Sequence, residues 1–64
     1  MVEGKSAMHA ETVRKLEKVR HVRGSLDALA RIASDERLEM LQYLLDMAYY
    51  EALKVEGELE KTEN

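Results

Sequence analysis

Between Leu38 and Val55, 13 of 18 residues are apolar or tyrosine, and neither glycine nor proline interrupts them. A helix built from this run is apolar around well over half of its circumference at 100° per residue. One neighbouring helix covers only a single stripe, so the run demands more than one packing partner. That requirement points to a helical chain that associates with itself.

The bounds of the chain sharpen the expectation. At 64 residues it forms one small domain, near the size where a lone core is marginal. It has no cysteine, so neither a disulfide nor a thiolate metal site supplements that core. Proline, phenylalanine and tryptophan are absent as well, and the remaining vocabulary of Ala, Leu, Glu, Lys, Arg and Met favours helices. The fold class expected is all-α. Met1–Ala10 lacks the apolar core of a secretory signal. Glu39, Gln42, Asp46, Glu51 and Lys54 recur through the apolar run, whereas a spanning helix needs ~20 mostly uncharged residues. These features predict a cytoplasmic protein with no membrane contact.

Within residues 1–64 the pattern predicts a frayed segment over 1–8, a first helix over about 9–33, a second over about 35–56 and an acidic tail over 57–64. In the first helix Val19, Val22, Leu26, Leu29 and Ala33 step by 3 and 4, the spacing of a packed seam, with Val13 and Leu16 slightly off it. Gly24 lies away from that seam. It either interrupts a continuous helix at a cost of about 1 kcal/mol or caps a shorter one; the unbroken apolar register favours continuity. Ser34-Asp35-Glu36 supplies a side-chain acceptor and early acidic charge for a new helix, so the break is expected there. A connection this short favours an antiparallel hairpin.

In the second helix Leu38, Leu41, Leu45, Ala48, Ala52, Val55 and Leu59 form one stripe, assigned to the first helix. Met40, Tyr43, Leu44, Met47, Tyr49, Tyr50 and Leu53 lie outside it and are assigned to a dimer interface. Two hairpins docked as a twofold four-helix bundle would bury them. The three tyrosines suit such a boundary, with ring to protein and hydroxyl to water.

Charge is segregated. Residues 1–34 carry seven Lys/Arg and four Asp/Glu, and residues 35–64 carry three and nine, giving +3 and −6. The basic first helix is expected to face the acidic second one near Asp46 and Glu51, fixing orientation more than adding stability. A competing use is nucleic-acid contact through Arg14, Lys18 and His21, which share one stripe at i, i+4 and i+7. The layout of size, hairpin, Asp/Glu-containing turn and acidic tail resembles the Rop family of plasmid RNA-binding proteins. That likeness implies a homodimeric four-helix bundle contacting RNA through its first helix. No aromatic precedes Tyr43 here, where that family carries one, and no site residue is carried over.

Chemistry is not expected. His9 and His21 are twelve apart, ~18 Å along a helix, and no Glu-x-x-His pair occurs to build a di-iron bundle site. Ser6, Ser25 and Ser34 sit at expected helix ends, and a nucleophile–base pattern is not expected among them. No glycine-rich phosphate loop or zinc pattern is present. The expectation is a non-enzymatic helical homodimer serving as a protein-interaction or regulatory module, without cofactor, metal or small-molecule substrate. RNA or DNA binding through the basic helix is the alternative.

Overall fold

The computed structural model describes the backbone of residues 2–63 and the side chains of residues 10–61. Two helices, α1 (Val2–Asp35) and α2 (Glu39–Glu63), pack against each other as an all-α hairpin measuring 53 × 14 × 12 Å. Its radius of gyration is 15.3 Å, against about 11 Å for a spherical chain of this length. The hairpin is a rod with little interior.

α1 passes through Gly24 without interruption, as the continuous apolar register predicts. It begins at Val2 rather than near residue 9. It also ends later than expected. Ser34 and Asp35 belong to α1, and the reversal falls on Glu36, Arg37 and Leu38. There the Leu38 amide donates to the Ala33 carbonyl at 2.9 Å and the Arg37 amide to the Ser34 carbonyl at 3.1 Å. This crossed pair is a Schellman closure, with Arg37 in the left-handed position at φ 60°. The expected cap therefore does not form: Leu38 precedes α2, its carbonyl accepting from the Gln42 amide at 2.8 Å, and its side chain offers no acceptor. α2 starts at Glu39 rather than 35, with one acid in its first turn. It continues through Gly57 to Glu63, so the expected acidic tail is helical over its described length. Partly buried Leu59 and the ion pairs of Glu56 and Glu60 secure it there.

The contact between helices is narrow. Leu16 (2% exposed), Ala30, Ala33 and Ala52 are the buried apolar residues among those described. Partly buried Val19, Leu26, Leu45, Ala48 and Val55 extend the same line. Three of the four buried residues are alanines, which leave so little side chain between backbones that larger neighbours are displaced outward. Hence Val22 and Leu29, expected in the seam, stand 49% exposed, whereas Leu16, expected off it, is buried. In α2 the assigned stripe is inward from Leu45 onward, but Leu38 and Leu41 near the turn remain 47% and 49% exposed.

Candidate functional site

The groove between the helices has two flanks of different chemistry. On one, Arg20, Arg23, Asp27 and Ser34 from α1 meet Gln42, Asp46, Glu56 and Glu60 from α2. Arg20 donates through Nε to Glu56 Oε2 at 3.2 Å and through Nη2 to Glu60 Oε2 at 2.9 Å. Arg23 Nε donates to Glu56 Oε1 at 2.6 Å. Two guanidinium groups thus share one carboxylate, whose side chain is 13% exposed. Hydrogen bonding from Arg23 and then Arg20 outweighs the desolvation between them and holds the Glu56 carboxyl below its ordinary range. Arg23 is raised in turn, first by Glu56 and to a lesser degree by Tyr49.

The basic helix does face the acidic one, but not where expected. Residues 20 and 23 meet 56 and 60 rather than the vicinity of Asp46 and Glu51. Moving the turn from Ser34-Asp35 to Arg37 displaces the facing register toward the end of α2, since each residue added before the reversal counts on both helices.

The opposite flank has a different composition. On α1 the positions 14, 18, 21, 25, 29 and 32 step by 3 and 4 along one face. This stripe changes character midway, from Arg14, Lys18 and His21 to Leu29 and Ile32. On α2 the matching stripe is 40, 44, 47, 51, 54 and 58, changing from Met40, Leu44 and Met47 to Glu51, Lys54 and Glu58. Helical phase places both stripes on the side away from the Arg20–Glu56 pair. Near the turn they form a continuous apolar face: Ile32 is 58% exposed, Met40 69%, Leu44 54% and Met47 50%. Half-exposed Val22, Leu29 and Leu41 line its middle.

The seven residues assigned to an interface are therefore divided by the fold. Met40, Leu44 and Met47 lie together on the apolar flank. Tyr43 and Tyr50 point outward from the back of α2 and are 59% and 62% exposed. Tyr49 and Leu53 lie toward the ion-paired flank, with the Tyr49 ring packed edge-on against Tyr50 at 5.7 Å and 73°. On α1 the face is formed by Leu29, expected in the seam, and by Ile32. Its signal was present in the spacing of Val22, Leu29 and Ile32, but that spacing also fits an intrahairpin seam.

Arg14, Lys15 and Lys18 border an open hollow with Glu11, Thr12 and Leu59. Among the described residues these three cations enter no ion pair. His21 is exposed on the same stripe, and the side chain of His9 lies outside the described residues. Among the described residues no group of three or more His, Asp or Glu side chains is placed to hold a metal ion. None of their helices is long and apolar enough to cross a membrane. Compared with protein families, curated proteins and solved structures, the chain matches none.

Proposed function

We propose that the protein is a non-enzymatic interaction module of the cytoplasm, acting by docking its apolar flank against protein and self-associating as a homodimer. The observation that supports this reading is the exposure of large apolar side chains: eleven of those described are 40–69% exposed. Scattered apolar residues on a surface are ordinary, but Val22, Leu29, Ile32, Met40, Leu41, Leu44 and Met47 are contiguous on one flank. The accessible surface is 5292 Å², against roughly 4,200 Å² for a compact chain of this mass. The excess of about 1,100 Å² is of the size one partner contributes to a stable interface, about 800 Å².

Sedimentation equilibrium at micromolar concentration tests the reading. The dimer is expected, and Leu44→Glu or Met47→Lys is expected to yield a helical monomer. A folded monomer of the unaltered chain would refute self-association.

The second reading is nucleic-acid contact through Arg14, Lys18 and His21, supported by the cations beside Leu59, which enter no ion pair among the described residues. It requires binding whose affinity falls steeply with salt and is lost in Arg14→Glu and Lys18→Glu. Binding that is undetectable at low salt would eliminate it.

A further inference from the structure

Building on that self-association, we propose that a second copy of this chain covers the apolar flank with the two turns at the same end of a four-helix bundle. The inference comes from how the flank is divided along its length. Its turn-proximal half is apolar on both helices, while its far half is charged, with Glu11, Arg14 and Lys18 on α1 and Glu51, Lys54 and Glu58 on α2.

Two closed twofold arrangements bring this flank against itself in full overlap. With the axis parallel to the helices, each α1 lies over the α2 of the second copy at the same distance from the turn. The internal register pairs Arg20 with Glu56, so Leu29 and Ile32 come level with Leu44 and Met47 of the second copy. Lys18 comes level with that copy's Glu58. Apolar surface meets apolar surface, and the charged ends meet each other.

With the axis perpendicular to the helices, α1 lies over α1 running the other way. Lys18 and Arg14 then rest on Leu29 and Ile32, and Met47 on Glu58. That arrangement removes cations from water with no acid to receive them, which is costly. Sliding the copies until only their turn halves overlap avoids this conflict, but it leaves half of the flank uncovered. The turns-together arrangement alone satisfies the whole flank.

The chain contains no cysteine, so a spin label can be placed at one chosen site. Glu36→Cys marks the turn and Lys61→Cys the far end, both at exposed polar positions. Double electron–electron resonance on each labelled protein reads the distance between copies, with circular dichroism confirming that helix content is retained. Short distances at both sites, about two helix diameters or ~20–25 Å, are expected. A distance approaching the 53 Å hairpin length at both sites would establish turns at opposite ends and overturn the proposal while leaving self-association intact. An intermediate distance at the turn with none detectable at the far end would establish the slipped arrangement, with the same consequence. Absence of dipolar modulation at both sites would show a monomer, overturning the proposal and self-association together and leaving the flank to a different protein.

Discussion

Gly24 and Gly57 lie in the interiors of α1 and α2, and neither has a positive φ. An added Cβ at either position meets nothing within 4 Å. The glycines therefore carry the entropic cost of an unrestricted residue in a helix without a packing or turn requirement that explains them. Alanine at each site is expected to stabilise the fold by about 0.8–1 kcal/mol. Helical phase places both positions away from the apolar flank, so association is not directly altered. They stand on different helices with no shared partner, and the effects should add to about 2 kcal/mol. For 64 residues the unfolding entropy is roughly 0.13 kcal/mol/K, so the double variant should melt about 15 °C higher. Thermal unfolding followed by circular dichroism at 222 nm, at one fixed protein concentration, measures this directly. The single variant Gly24→Ala carries the stronger test. If α1 were instead broken at residue 24, with the glycine capping a shorter helix in the left-handed region, alanine would destabilise the protein. A lowered melting temperature in Gly24→Ala would refute the continuous helix.

Further outcomes follow from the same geometry. Arg37 holds a left-handed conformation at the closure of α1, so Arg37→Gly should raise stability by about 1 kcal/mol, read from urea unfolding. Leu16 is the most enclosed large side chain, and Leu16→Ala should cost about 2–4 kcal/mol, enough to unfold much of so small a protein. Glu56 has its pKa lowered in the folded state, so the folded chain binds fewer protons than the unfolded one. Its stabilising effect should be complete above the ordinary carboxylate value near 4.5 and disappear as pH falls through the lowered value. Glu56→Gln should flatten that part of the stability profile, and an unchanged acid limb would contradict the shared Arg20–Arg23 pairing.

The helical class, the two-helix division and the unbroken passage through Gly24 were all legible in the sequence. Each depends on local preference or on apolar spacing within one helix, and both are properties of short stretches of chain. The uninterrupted apolar period from Val19 to Ala33 identified a continuous helix, and the surplus of apolar residues beyond Leu38 identified a second apolar face. Residue types alone could not locate the reversal. Ser34-Asp35-Glu36 has the composition of a helix start, yet the chain closes through backbone hydrogen bonds around Arg37, a residue with no turn signature. A difference of two or three residues at that point moves the facing partners of Arg20 and Arg23 to Glu56 and Glu60.

Tertiary packing also decided which of two adjacent apolar stripes on α1 turned inward. The choice fell to the line containing Leu16, Ala30 and Ala33, because small residues let the backbones approach and larger ones cannot occupy the same space. Val22 and Leu29 were left half outside, and with Ile32 they completed the apolar flank begun by Met40, Leu44 and Met47. Sequence determined how many apolar faces the protein has, since periodicity is intrinsic to a helix. Only the packed pair determined which faces meet, since that depends on volumes and register shared between two segments far apart in the chain.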